Sequence, residues 1–325
     1  MLAVLAGAVV IAALAACDVT FGLGQPTTRA LESGSADTLT SAKSFEITGT
    51  YSESGNQVSI DLQVARLGAE HVVVTTPDAK LEAIIIGSDA YFRGNQFLSQ
   101  HMGSDPLSRN LVNAAGNAWW KGSAGYVPRL PDLTEGSSFS STFLGTAVTQ
   151  RFDHVAVAGL DAINLSGPRA DVFIAAEPPY HVLRVHLKPG VVIDGLGEAD
   201  IRFENFNRDF GIAVPTDVID FSNLSTLPPI YTVVSVDISG CGSPCVVSAL
   251  VKNLGGTHGA QAPSTITFTM TATASGNVIG SCQAQVTPDV GYNATSTVSC
   301  TIGNVSGQQE NAAIVTAAAD NPGHA

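Results

Sequence analysis

The sequence predicts an α+β domain built on an antiparallel sheet, followed by an all-β domain. Three observations predict it. Apolar and polar residues alternate in short runs on both sides of a central stretch, 95–149, where alternation stops and weak helical spacing takes over. A proline-rich stretch, 215–229, separates these runs from a last set of strands spaced as a small β-sandwich requires. All the cysteines but Cys17 fall in that last region. The expected domains are a signal segment at 1–17, a tether at 18–25, an α+β domain at 26–222, a linker at 223–230, a β-sandwich at 231–319 and a tail at 320–325.

Residues 1–16 carry no charge and are built, after Met1, of Ala, Leu, Val, Ile and Gly. The run is too short to span a bilayer as a permanent helix and reads as the apolar core of a secretory signal. It closes on Leu14-Ala15-Ala16-Cys17, small residues that let a peptidase seat the chain. A secretory signal carries basic residues ahead of its core, yet the first basic residue here is Arg29, which points to a truncated start.

Residues 26–42 are expected to form one helix, with Pro26 at its start and a weak apolar face of Leu31, Leu39 and Ala42. A β meander follows. Residues 45–51 alternate with Phe45, Ile47 and Tyr51 on one side. Residues 57–66 alternate more cleanly, with Val58, Ile60, Leu62 and Val64 facing one way and Ser59, Asp61 and Gln63 the other. Glu53-Ser54-Gly55-Asn56 joins the two as a hairpin. Further strands are expected at 71–76, 81–86 and 90–93.

Within 95–149, residues 105–115 and 132–147 are expected to be helical, with Asp105 and Asp132 as N-caps. Between them stand Trp119 and Trp120, the only tryptophans. Strands resume at 151–158, 162–166, 170–175, 181–187 and 199–205. In 181–188, Val182, Arg184, His186 and Lys188 alternate with Leu183, Val185 and Leu187, so this sheet is expected to be wet on one side only. The apolar runs at 58–64, 152–157 and 183–187 need a cover. The stretch 95–149 supplies one, through Leu107, Leu111, Trp119, Trp120, Phe139, Phe143 and Leu144.

Cys241, Cys245, Cys282 and Cys300 read as two disulfides of an exported chain. Three pairings are open. Cys241–Cys245 and Cys282–Cys300 are favoured because each can staple a local hairpin or adjacent strands. A four-cysteine metal site is the alternative, but the spacings match paired zinc ribbons poorly. The net charge of −13 argues against nucleic acid and against electrostatic adhesion to anionic headgroups. The sequence contains no Gly-x-Ser-x-Gly elbow, phosphate loop or His-Glu-x-x-His pair, so no catalytic residue, metal or cofactor is expected.

Leu14-Ala15-Ala16-Cys17 resembles the lipobox of bacterial lipoproteins. That resemblance implies that Cys17 is lipidated, becomes the mature N-terminus and anchors the chain to the cell membrane on its extracytoplasmic side. Several acyl chains suffice for stable anchoring, where one is marginal. Residues 26–222 resemble the LppX/LprG group of lipoproteins, which share the fold of the Lol-type lipoprotein carriers. Thr40-Ser41-Ala42-Lys43-Ser44-Phe45, the run Ile84-Ile85-Ile86-Gly87-Ser88-Asp89-Ala90-Tyr91-Phe92-Arg93, and the closing hairpin within 179–206 carry the likeness. It implies a curved antiparallel half-barrel sheet covered by helices on its concave side, holding lipid or glycolipid acyl chains between them. The candidate cavity residues are then Val58, Ile60, Leu62, Val64, Trp119, Trp120, Phe139, Phe143, Leu144, Val155, Val157, Leu183, Val185 and Leu187. Adjacent tryptophans in a strand point to opposite faces, so at most one lines a cavity. Val251-Lys252-Asn253-Leu254-Gly255-Gly256 and Ser275-Gly276-Asn277-Val278-Ile279-Gly280 resemble phrases of small immunoglobulin-like modules, which space other domains or meet an envelope protein partner. The alternative reading is a structural or adhesive surface lipoprotein in which the same apolar residues form a solid core.

Overall fold

The computed structural model describes residues 25–53, 55–66, 68–127, 129–303, 305 and 312–324. Cys17 and the lipobox lie outside them. In chain order the elements begin with α1 (Thr28–Ser41) and the strands β1 (Ser44–Glu53), β2 (Asn56–Ala65), β3 (Ala69–Thr75), β4 (Lys80–Ile86) and β5 (Asp89–Arg93). Then come α2 (Asn95–His101), α3 (Pro106–Ala115), β6 (Trp119–Ser123), α4 (Pro131–Thr134) and α5 (Gly136–Phe143). The strands β7 (Gln150–Val157), β8 (Leu160–Ser166), β9 (Ala170–Ala175), β10 (Val182–Leu187), β11 (Val192–Ile193), β12 (Leu196–Glu204) and β13 (Val218–Ile219) follow. The chain closes with β14 (Tyr231–Asp237), β15 (Cys245–Asn253), β16 (Thr265–Ala272), β17 (Val278–Gln285), β18 (Thr295–Ile302) and β19 (Ala313–Asp320). The protein is thus mostly β with a few short helices, and it divides into two compact units.

The first unit combines residues up to Ala42 with Leu130–Asp194. Helix α1 begins where Thr27, not Pro26, caps it: the Thr27 hydroxyl accepts from the Ala30 N–H at 3.2 Å. Its inner side buries Leu31, Ser35, Thr38 and Leu39 and meets α5. The approach depends on Gly136, where a Cβ would stand 2.2 Å from the Ala36 carbonyl oxygen. The single helix expected over 132–147 is broken into α4 and α5 at Glu135, whose extended backbone ends the first turn. Strands β7 to β10 pair antiparallel in sequence order.

Two bulges change the expected faces in this unit. In β10 the register slips between Val182 and Arg184, so Val182 joins Val185 and Leu187 on the buried face and Leu183 is left half-buried. In β7 a slip between Phe152 and Val155, with His154 at φ 57°, turns the strand outward. Phe152 is 48% exposed, Val155 is half-buried and only Val157 is buried. The apolar run expected over 152–157 therefore does not form a continuous inner face.

The second unit combines Lys43–Arg129 with the chain from Gly195 onward. Its larger sheet runs β13-β6-β5-β4-β3-β2-β1-β12 and is antiparallel except for the parallel pair β13–β6. It is a mixed sheet. The β6 strand over the tryptophans and the helix α2 lie where the sequence signalled neither. The stretch 215–229, a linker by composition, is packed into this unit. Val218 and Ile219 pair with Trp119 and Trp120, while Ile219, Leu227 and Ile230 are buried with Leu98 of α2 and Val112 of α3.

The last strands form two three-stranded sheets, β14-β15-β18 and β17-β16-β19. They share one apolar core that includes Tyr231, Val247, Val251, Phe268 and Met270. Disulfides join Cys241 to Cys245 and Cys282 to Cys300, the favoured pairing. The second links β17 to β18, and so bridges the two sheets rather than neighbours within one. The end of the chain, expected to fray, is held: the His324 N–H donates to the Ala114 carbonyl at 2.9 Å, and Gln261 Nε2 donates to the His324 carbonyl at 2.7 Å.

Candidate functional site

Strand register in the second unit sorts side chains onto two chemically distinct faces. Along one row Phe203, Ile47, Leu62, Val72, Ala83, Phe92 and Trp120 are successive cross-strand neighbours. Period-two alternation puts all of them on the same side. This side also carries Val58, Ile60 and Val64, all buried. Burial is complete at β2 and uneven beyond it toward β6: Ala83, Ile85 and Ala90 are buried, whereas Val72, Val74, Leu81, Phe92 and Trp120 are only half-buried. Trp120 packs beside Phe92, ring centroids 6.1 Å apart, and against the cluster of Leu98 and Val112 that α2 and α3 supply.

The opposite face is polar and hydrogen-bonded across several strands. Gln63 Nε2 donates to Glu46 at 2.9 Å, and the Asn205 carboxamide donates to the other oxygen of Glu46. His71 Nε2 lies 2.9 Å from Glu82 Oε1, while Arg93 donates to Glu82 Oε2 from Nε at 3.0 Å and again from Nη2. Arg93 in turn lies over the Trp119 ring, 4.5 Å from its centroid. Burial works against ionisation of Glu82, yet the hydrogen bonds from Arg93 and His71 hold its carboxyl below the ordinary value. Burial and the neighbouring Glu46 charge push Asp61 the other way.

At the Lys80 end of β4 this polar face opens into a cleft of about 700 Å³, lined by Lys80, Glu82, Arg93, Gly94, Asn95, Gln96, Gly116 and Asn117. None of the apolar residues singled out from the sequence lines it. Its lining comes from three stretches of chain, and no sequence motif joins them. The one signal available is that Lys80 and Glu82, two apart on a strand, must share a face.

The other expected cavity residues fall in the first unit. Phe139, Phe143 and Leu144 are buried, with the two phenylalanine rings 5.0 Å apart. Val157, Val185 and Leu187 are buried, whereas Val155 and Leu183 are half-buried. Of the two tryptophans, Trp120 stands on the apolar face and Trp119 on the polar one. In the same unit Asp194 accepts from the Asp132 N–H at 2.9 Å. Burial, then the Asp132 charge, raise the Asp194 carboxyl to about 6. Among the described residues, no group of three or more His, Cys, Asp or Glu is placed to hold a metal ion, and no helix is long and apolar enough to cross a membrane.

No family model matches the chain, and no curated protein matches it. Among solved structures it is similar to the crystal structure of MucB, at 12% identity and a TM-score of 0.27, over 85% of this chain and 93% of that one. A likeness at that score carries no argument about either fold or function.

Proposed function

We propose that the protein is a membrane-anchored lipoprotein that binds or transfers lipid, or lipid-modified molecules, at the cell envelope. In this reading the lipidated Cys17 ties it to the membrane, the apolar face holds acyl chains, and an immunoglobulin-like module at 231–319 spaces the protein or meets an envelope partner. The observation that supports it is the apolar face along the row from Phe203 to Trp120, on which the half-buried Val72, Val74, Leu81 and Phe92 offer acyl chains a place to enter. The helices over Trp120 are short, and α2 has seven residues, so their displacement breaks few backbone bonds.

Brominated phospholipid tests this reading, because bromine in the acyl chains quenches tryptophan on contact. Trp119→Phe keeps Trp120 as the single reporter, and Trp120→Phe keeps Trp119. Strong quenching in the first variant and weak quenching in the second is the expected result. Equal, feeble quenching in both would argue against acyl chains on this face.

A second reading has its own support. Val58, Phe139 and Val185 are fully or almost fully covered by protein, as in a filled core. A structural or adhesive surface lipoprotein with a solid interior accounts for that burial, and it is the outcome if no lipid is taken up.

A further inference from the structure

We propose that the cleft at the junction of β4, β5 and α2 is a binding site for a small anionic, hydroxylated molecule, a sugar phosphate in chemical class. The site stands on the face opposite the apolar row, so it goes beyond the lipid reading and does not depend on it.

Charge carries the first part of the argument. The protein as a whole is strongly acidic, at −13, yet the cleft is lined by two cations, Lys80 and Arg93, and one carboxylate, Glu82. That carboxylate is already engaged, one oxygen by His71 and the other by Arg93. It therefore steadies Arg93 rather than repelling an anion. Arg93 faces Glu82 through Nε and Nη2, which leaves its remaining N–H donors for a ligand. Lys80 is exposed and forms no ion pair among the described residues.

Shape and polarity carry the second. About 700 Å³ is far more than inorganic phosphate needs and falls in the range of small-molecule sites, roughly 300–1,000 Å³. Every side chain that lines the cleft ends in a polar group, so a ligand there meets hydrogen-bonding groups rather than a continuous apolar wall. The carboxamides of Gln96 and Asn117 offer both donors and acceptors, the pairing that sugar hydroxyls need. Gly94 lets the chain after β5 close onto β4 at the cleft wall: a Cβ there would stand 2.3 Å from the Lys80 carbonyl oxygen. Asn95 ties two stretches of the lining together, because its Nδ2 donates to the Gly116 carbonyl at 2.9 Å and to the Val112 carbonyl at 3.3 Å. The site is thus built before a ligand arrives, which lowers the entropy lost on binding.

Calorimetric titration of the chain from residue 18 onward, with glucose 6-phosphate, glycerol phosphate, glucose and inorganic phosphate, tests the proposal. At least one of the two phosphorylated polyols is expected to bind, and glucose and inorganic phosphate each to bind at least about tenfold more weakly. Lys80→Ala and Asn117→Ala are each expected to weaken that binding about tenfold, with unchanged circular dichroism. Both side chains are exposed, so the fold does not depend on them. Absence of binding by both polyols, inorganic phosphate binding as tightly as either, or unchanged affinity in both variants would each overturn the proposal. The Trp120 quenching experiment reads the other face, so failure here leaves the lipid reading untouched.

Discussion

The Glu82 carboxylate grips the Arg93 guanidinium through one oxygen, Oε2, which accepts from Nε at 3.0 Å and from Nη2 as well. The pair ties β4 to β5 at the mouth of the polar cleft and presses Arg93 onto Trp119.

Loss of that grip is expected to show as a pH effect. Arg93 and His71 hold the Glu82 carboxyl below 4.5, so its contribution is fully present above that value and fades as pH falls through the lower folded-state value. Glu82→Gln is expected to lower stability at neutral pH by about 1 kcal/mol, since solvent screens a partly exposed pair. The difference from wild type should shrink in acid. Urea unfolding at neutral and acid pH measures both.

Asp194 has the opposite sign. Its folded value of about 6 lies above its ordinary 3.8, so the native state holds an extra proton between the two. Its contribution is therefore present in full below 3.8 and is lost as pH rises through about 6. Asp194→Asn keeps an acceptor for the Asp132 N–H, and Asn tolerates the φ of 53° found there. The variant is expected to gain about 1 kcal/mol at neutral pH, after allowance for solvent screening, and to lose the slope across that window. A variant less stable than wild type at neutral pH contradicts the assignment.

Asn253 is the buried polar hub of the last two sheets. Its Oδ1 accepts from the Ile230 N–H at 3.0 Å and the Gly255 N–H at 2.9 Å, and its Nδ2 donates to the Gly256 carbonyl at 2.7 Å and the Val290 carbonyl at 2.6 Å. Asn253→Ala strands four backbone groups, those of Ile230, Gly255 and Gly256 buried and that of Val290 half-buried. A loss of about 3 kcal/mol or more is expected from chemical denaturation. A loss below about 1 kcal/mol would mean that water replaces the side chain.

The two disulfides are expected to differ in weight. The chain-entropy argument assigns about 3 kcal/mol to the 18-residue separation of Cys282 and Cys300, and about 2 kcal/mol to the four-residue separation of Cys241 and Cys245. Paired Cys→Ala variants, compared by thermal unfolding, should rank in that order. The reverse ranking would show that the bridge between sheets contributes less than the local staple.

Much of this architecture is legible in the residue pattern, and the losses have physical causes. Val58, Ile60, Leu62 and Val64 alternate without interruption, and all four are buried on one face of β2. Alternation fails at β7 and β10, because a bulge inserts one residue and reverses every side chain beyond it. Val182 and Leu183 exchange environments for that reason. The stretch 215–229 reads as a linker because prolines stand at both its ends and it has few apolar pairs between them. Yet Ile219, Leu227 and Ile230 are widely spaced anchors, which no short window detects. The polar cleft escapes for a similar reason: Lys80, Arg93 and Asn117 are brought together only by the β4–β5 hairpin and the turn after α3. Asn253 stands inside a phrase singled out from the sequence, but its role there depends on Ile230 and Val290, distant partners that the phrase does not contain.

Native mass spectrometry of the chain from residue 18 onward, purified without its anchor from a bacterial host, tests the central claim most directly. The expected spectrum shows protein with bound phospholipid or glycolipid, which is released on denaturation and lost in a folded Leu62→Trp variant that fills the apolar face. A clean mass of protein alone, unchanged after incubation with lipid extract, would contradict the account and leave the solid-core surface protein in its place.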